Sequence, residues 1–331
     1  MSTGSIVVTG ALLAAAAATG SLLVGAQAVS PADVLSATAA LARGEAGVGE
    51  VEAVTAARLG RTLFAIVIGA ALALGGLTLQ GLTRNPIADP GILGLQGGAS
   101  LIVVLGLQAG LVGAATDYLW AALVGVLAAG LLVHAITLTA PVSRQPVTAA
   151  LAGAAVMAMS ASVIGAIMVT DRGTLDTFRF WQVGSVGGRD PQALATLAPF
   201  LIVGLVLVLT SARTLDAIAL GDDLARALGQ RVLLHRGAAA AGALLLIAVA
   251  TALAGPIGFV GLTVPHLVRL LIGPAHGRAM IGCLFGGPVL VILADTLGRV
   301  IAPPSEIQAG IVTAIIGAPV LIVIARKARR R

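Results

Sequence analysis

The sequence predicts an all-α polytopic membrane protein of about ten transmembrane helices, in two inverted-repeat-like halves with a pair of short amphipathic helices outside the bilayer. Three observations carry that prediction. Of 331 residues, 58% are hydrophobic and 10% charged, and the mean hydropathy is +1.05, more apolar surface than a soluble core of this size can hide. The apolar runs are about 20 residues long and rich in Ala, Leu, Val and Gly, whereas barrel strands alternate over about 10. The 43 glycines suit helices that approach closely in lipid.

Taken in order, spans are expected near 5–28, 62–81, 92–112, 119–140, 148–170, 193–211, 236–255, 257–271, 278–298 and 308–325. The eighth is too short to cross a hydrocarbon layer of about 30 Å unless it is packed inside the bundle. The first run lacks a basic n-region and reads as a retained span, not a cleaved signal peptide. Arg84, Arg144, the Arg213–Arg236 segment, Arg269, Arg278 and the basic tail fall on one side of the membrane, whereas Arg172, Arg179 and Arg189 on the other are balanced by Asp171, Asp176 and Asp190. The positive-inside rule then places both termini in the cytoplasm, and 31–57 and 171–192 outside. The same clustering at membrane ends argues against nucleic acid as the partner of a chain whose pI is near 11.1.

A weak repeat links NPIADPGILGLQGG (Asn85 to Gly98), after the second span, with GPIGFVGLTVPHL (Gly255 to Leu267), after the seventh. The second span runs inward and the seventh outward, so the two units are inverted. Interrupted segments at matching positions of two halves frame the pathway of many transporters. Between spans five and six, Thr174 to Gly188 holds Phe178, Phe180 and Trp181. It is expected as a short interfacial helix with its rings at headgroup depth, serving as an anchor or a partner-facing rim.

Arg213 to Arg236 is the most charged stretch of its length between two long spans. It reads as two short helices broken at Gly221. Asp222 and Asp223 would face the free N–H groups and positive dipole end of the second helix. Asp222 and Arg226 form an i,i+4 pair, and Gly229 suits the position after a helix end. Leu220, Leu224 and Leu228 recur every four residues on one face. A plain solvated loop is the simple reading; a capped amphipathic helix is more than a linker needs, and fits a docking element for a soluble partner.

The chain carries one lysine, Lys327, so no Walker A phosphate-binding loop is available. The one cysteine, Cys283, excludes an internal disulfide or a multi-cysteine metal site. No HExxH or GxSxG pattern occurs, and neither a catalytic residue nor a cofactor site is expected. His134, His266 and Asp295 lie in spans and are expected to be structural, Asp295 pairing with Arg299 four residues on. Gln80, Gln96, Met157 and Met159 are candidates to face a central path. Carboxylates are scarce in the central spans, which counts against an ion-coupled secondary carrier. A pathway without its own energy source, plus a docking helix, points to an ATPase on a separate subunit.

At RLGRTLFAIVIGAALALGGLTLQGLTRNPIADPGILGLQGGAS (Arg58 to Ser100), LDAIALGDDLARALG (Leu215 to Gly229), GPIGFVGLTVPHLVRLLIGPAHGR (Gly255 to Arg278) and the run from Ala294 to Ile324, the sequence resembles the FecCD-type permeases of ABC importers for iron–siderophores, haem and vitamin B12. The resemblance covers nearly the whole chain. It implies one transmembrane permease domain over 1–331, paired with a second permease subunit (another copy or a paralogue), resting on two ATP-binding subunits and fed by an external substrate-binding protein. It implies coupling to the ATPase through the Leu215–Gly229 segment. It also implies docking of the binding protein at Arg58, Arg61 and, less directly, Arg299. The expected cargo is a ferric siderophore, with vitamin B12 and haem as alternatives.

Overall fold

The computed structural model describes residues 2–44, 49–141, 144–221, 232–303 and 305–328, and no strand occurs among them. Thirteen helices follow in order: α1 (Thr3–Leu23), α2 (Pro31–Ala42), α3 (Glu50–Thr83), α4 (Leu95–Gln108), α5 (Ala115–Leu138), α6 (Gln145–Thr170), α7 (Arg172–Gln182), α8 (Pro191–Thr210), α9 (Ala212–Ala219), α10 (Val232–Ala254), α11 (Val260–Ile272), α12 (His276–Ile301) and α13 (Ala309–Ala328). Each expected span falls on one of them, and seven are long and apolar enough to cross a membrane.

Short polar side chains set several helix starts. Ser2 accepts the Ser5 N–H at 3.2 Å to cap α1, and Ser30 does the same for Asp33 at α2, just ahead of Pro31. Asp171 and Asp190 cap α7 and α8 in the same way. The helix α3 stops at Arg84, which adopts a left-handed φ of 50° and turns the chain back toward the bundle.

The helix α3 is the spindle. Every residue from Ala71 to Gly81 is buried, with α12, α10 and α11 packed around it. Backbones touch at two points on its length. A Cβ on Gly69 would collide with the carbonyl of Gly287 on α12, and one on Gly76 with the carbonyl of Gly261 on α11. In lipid, where apolar side chains gain little by leaving their solvent, such contacts carry much of the association.

The two halves are visible as α3–break–α4 and α10–break–α11. In each, a long helix ends in a break, and a left-handed residue, Gly94 (φ 75°) or Phe259 (φ 67°), opens a short helix of 14 or 13 residues. At 1.5 Å per residue these reach only about 20 Å, short of a full crossing, and both are tucked inside. Not only the eighth span is short, therefore; the third is too.

Other expectations need correction. Most of 31–57 is helical: α2 occupies its first part, and α3 begins at Glu50, not near 62. Glu50 and Glu52 in the first turn of α3 favour that early start by facing its positive dipole end. The helix α7 forms, but Phe178 and Trp181 turn inward, where both are buried. Their rings lie 5.9 Å apart, against a core that α7 shares with α4 and α6; burying ring area between helices replaces the headgroup anchoring expected of them. The side chain of Phe180 lies outside the described residues. His134 is exposed on the outer face of α5, not held between helices.

Replacing Gly76 by Val should cost about 3 kcal/mol or more, because backbone on both sides cannot yield. Gly60→Ala, whose Cβ meets nothing within 4 Å, should be neutral or stabilising by up to about 1 kcal/mol. Melting of the purified proteins in detergent checks the pair; similar midpoints for the two would contradict the close-packing account.

Candidate functional site

Polar groups collect at the two ends of the bundle, and α3 and α12 run through both collections. At one end, the α3 residues Arg58, Arg61 and Thr62 meet the end of α1 and the α12 residues Asp295 and Arg299. Asp295 receives Arg61 at 2.8 Å and lies 3.1 Å from Arg299 Nε, bearing out the expected i,i+4 pair. Arg61 also donates to Glu306 at 2.7 Å. Arg58 donates to the carbonyls of Leu22 (2.8 Å) and Gln27 (2.6 Å). Arg299 donates to the Ser21 and Val24 carbonyls at 3.2 and 3.0 Å and to the Ser21 hydroxyl at 2.8 Å. A helix end leaves carbonyls without partners, and α1 has no basic residue in its own last turn; two arginines from other helices supply the missing donors and the positive charge.

The three docking candidates are thus brought together, but not as an open rim. Arg58 and Arg299 are 4% and 2% exposed, and the Arg61 side chain 16%. Their guanidinium groups are spent on α1 and on two carboxylates. The sequence offered a signal for this in Asp295 and Glu306, the acids available to pair with these arginines, and in the uncapped end of α1.

At the other end lies the first half of the 213–236 element. The α9 residues Leu215 and Ile218 are fully buried, Leu220 is exposed, and Gly221 takes a φ of 115° that breaks the helix where expected. Asp222, Asp223, Leu224, Arg226, Leu228 and Gly229, expected in the second half, lie outside the described residues. The helix α9 is bolted to its neighbours. Arg84, at the end of α3, donates to the Ile218 carbonyl at 2.8 Å. Asp216 Oδ1 accepts the His276 backbone N–H at 2.9 Å and faces the ring Nδ1 at 2.8 Å. The residue before α12 is Ala275, which has no side chain able to cap it, so Asp216 performs from 60 residues away the service usually local to a helix start. Arg84 entered the sequence reading only as a charge on the cytoplasmic side, and Asp216, His276 and Glu306 were given no structural role there. An alanine in the cap position of an otherwise strong helix was the available clue to Asp216.

Of the pathway candidates, Gln80 and Gln96 serve as ties between halves. Gln80 is buried; its amide donates to the Gly261 carbonyl at 3.0 Å and accepts from Arg269 at 2.9 Å. Gln96 donates to the Ile257 carbonyl in the second break at 2.8 Å. In this arrangement both polar groups are engaged by backbone carbonyls. Met157 and Met159 stand exposed on α6.

The first break holds Asp89, buried, with Oδ1 accepting the Gly91 N–H at 2.8 Å and Oδ2 without a partner among the described residues. Burial pushes its carboxyl up to about 6.

The model of the FecCD transport family matches residues 10–327. The chain belongs to the FecCD transport family. The chain is similar to the ferric enterobactin transport system permease protein FepD of Escherichia coli (strain K12), 39% identical over 99% of this chain and 97% of that one. It is also similar to the vitamin B12 import system permease protein BtuC of Salmonella typhi, 34% identical over 94% and 91%. Among solved structures, a chain of an ABC transporter assigned to the metal-chelate type, in an inward-facing conformation, superimposes with a TM-score of 0.83 at 25% identity, covering 98% of this chain and 99% of that one. This FecCD-family chain is accordingly a multi-pass membrane protein of permease architecture.

Removing the shared acid with Asp295→Ala leaves Arg61 and Arg299 short of a counter-charge in a buried site. It should lower stability by about 3 kcal/mol, read as a drop in melting midpoint that Arg61→Ala in the same chain partly restores; no drop would show the pair to be idle. Asp89 gives a pH dependence of definite sign. Its carboxyl is held above the usual range of about 3.8, so the folded state binds the extra proton, and stability is full below pH about 4 and falls as pH rises through about 6. Asp89→Asn should flatten that slope in melts taken between pH 4 and 8.

Proposed function

We propose that this chain is the membrane-spanning permease subunit of an ATP-driven importer whose cargo is a ferric siderophore. The observation that carries the cargo is the match to a ferric enterobactin permease over 99% of the chain. The chain contains no phosphate-binding loop of its own, so hydrolysis belongs to two ATP-binding subunits. A second permease subunit completes the path, and an external binding protein delivers the cargo. The whole chain acts as one permease domain with both termini in the cytoplasm, α9 on the cytoplasmic side and the Asp295 end outside.

The geometry supports a definite route for coupling. An ATPase docked on 213–236 moves α9. The carboxylate of Asp216 holds the first residue of α12, and Arg84 holds α9 to the end of α3. Displacing α9 therefore displaces the two helices whose far ends carry Arg61, Asp295 and Arg299. The helix α12 has 26 residues, about 39 Å at 1.5 Å each, so it reaches from the cytoplasmic joint to the outer charge cluster. Alternating access is then a population shift between arrangements of the same bundle, driven by contacts that the ATPase makes more favourably in one of them. Docking of the binding protein on Arg58, Arg61 and Arg299 requires these arginines to exchange internal partners for the acids of the incoming protein. Met157 and Met159 on α6 belong to the wall of the path or to the face toward the second permease subunit.

The reading is tested in a strain lacking this chain, by following uptake of labelled ferric siderophore and of labelled cobalamin in parallel. Loss of siderophore uptake alone is expected; loss of cobalamin uptake alone would overturn the cargo while leaving the importer. In the restored strain, Asp216→Ala, Asp223→Arg and Leu224→Asp should each reduce uptake at least tenfold with the protein still inserted in the membrane. Undiminished uptake by all three would overturn the coupling assignment.

A further inference from the structure

At the Asp295 end, a cavity of about 490 Å³ lies between the heads of α5 and α8, the end of α10 and the turn 183–190. Its walls include Tyr118, Trp181, Ser185, Arg189, Asp190 and Gln308, none of which takes part in the paired charges beside it. Arg189 is half-buried with no carboxylate partner among the described residues. Its bonds are long ones, to the Ser185 carbonyl at 3.4 Å and the Ala254 carbonyl at 3.3 Å, and burial holds its guanidinium below the ordinary arginine range. Trp181 is 5% exposed, and its indole N–H has no acceptor among the described residues. Tyr118 and Gln308 add a hydroxyl and an amide to the same walls.

Several donors around one cavity, one of them cationic, call for an oxygen-rich anion. Asp190 restricts which anion. It caps α8 through Oδ1, which accepts the Gln192 N–H at 2.8 Å, and does not pair with Arg189. A carboxylate on the wall disfavours a doubly charged anion and favours a positive group next to it. The ligand that satisfies both walls is a zwitterion with phosphate and ammonium a few bonds apart.

Position identifies the source. The cavity sits at the heads of two apolar helices that both pack on α10 and touch through the edge-on rings of Trp120 and Phe200, 5.9 Å apart. Beyond it Trp120, Val124, Ile202 and Val203 are exposed, an apolar surface fit for acyl chains. Trp and Tyr at the ends of membrane helices mark headgroup depth, where phospholipid is the concentrated solute.

We propose that this cavity binds phosphatidylethanolamine by its headgroup. The phosphate accepts from Arg189, the Trp181 indole and the Tyr118 hydroxyl, and the ammonium donates to Asp190. Choline cannot fill that second role, since its methylated nitrogen has no N–H to give, and glycerol brings no positive charge.

Full-length protein, purified in detergent and stripped of lipid, would be titrated with dioleoyl phosphatidylethanolamine, phosphatidylcholine and phosphatidylglycerol and read by native mass spectrometry. Wild type is expected to retain the ethanolamine lipid about tenfold better than either of the others. Arg189→Gln and Trp181→Phe should weaken that retention about tenfold. Asp190→Asn, which keeps a helix-capping side chain, should bring ethanolamine and choline lipids to parity. Trp181→Phe and Asp190→Asn change one polar group each, so they decide the matter even if Arg189→Gln fails to fold. Equal retention of the three lipids by wild type, or unchanged retention in Trp181→Phe and Asp190→Asn, would overturn the proposal. Displacement of the lipid by millimolar soluble phosphoethanolamine would keep the zwitterion chemistry and overturn its source in the bilayer.

Discussion

The structure depends on backbone touching backbone along α3. Where Gly69 meets Gly287 and Gly76 meets Gly261, no side chain separates the helices, and their relative height is set by contact itself. The polar ties depend on that height. Gln80 lies one turn beyond Gly76 on the same face, so its amide arrives at the Gly261 carbonyl because the two backbones already touch there. Side chains at Gly76 or Gly69 would push apart more than two helices; they would pull Gln80 from the Gly261 carbonyl and Arg61 from Asp295. In a soluble protein, apolar burial would blunt such a loss. In lipid, contact and hydrogen bonding have to supply most of the association.

Ionic groups obey the same economy. The middle of α3 carries none, and the charges are confined to its ends, where they satisfy backbone that helix geometry leaves bare. Arg58 and Arg299 serve the carbonyls at the end of α1, Asp216 serves the start of α12, and Arg84 serves the end of α9. Each is a helix terminus capped from a different part of the chain. Such caps are strong enough to hold termini in place and few enough to be exchanged together, which suits a bundle with more than one arrangement. A buried arginine that holds α1 in one arrangement is a charge available to another partner when α1 is released.

The all-helical spans, the two breaks and the end of α9 just before Gly221 were legible from the sequence because each is written in local chemistry: apolar length, Pro/Gly punctuation, a glycine suited to positive φ. The pairing of Asp295 with Arg299 was legible for the same reason, being four residues apart on one helix. What escaped was every contact made across the chain. Nothing local to Arg58 announces that Leu22 and Gln27 lie beneath it, or to Gln80 that Gly261 lies against it. The aromatic α7 looks like an interface anchor from its composition, yet Phe178 and Trp181 pack inward because α4 and α6 leave room that no local pattern announces. The early start of α3 at Glu50 was hidden by Ala, Gly and Glu, which suit a helix start as well as a loop.

The fastening of α9 bears directly on the coupling proposed for it. Toward α12 it has a carboxylate held by both the backbone N–H and the ring of His276, at 2.9 and 2.8 Å. That carboxylate also lies at the positive end of a helix with no side-chain cap of its own, where charge and hydrogen bond reinforce each other. Toward α3 it has the Arg84 bond to Ile218, at 2.8 Å. The helix α10, which follows the same element in the chain, packs along α3 and meets its end through a 3.4 Å bond from Arg236 to the Leu82 carbonyl. Under the coupling proposed above, a push on α9 reaches α12 through Asp216 and α3 through Arg84. Since α12 presses on α3 at Gly69 and Gly287, the coupling proposed above has the two helices move as one lever toward the charge cluster at their far ends.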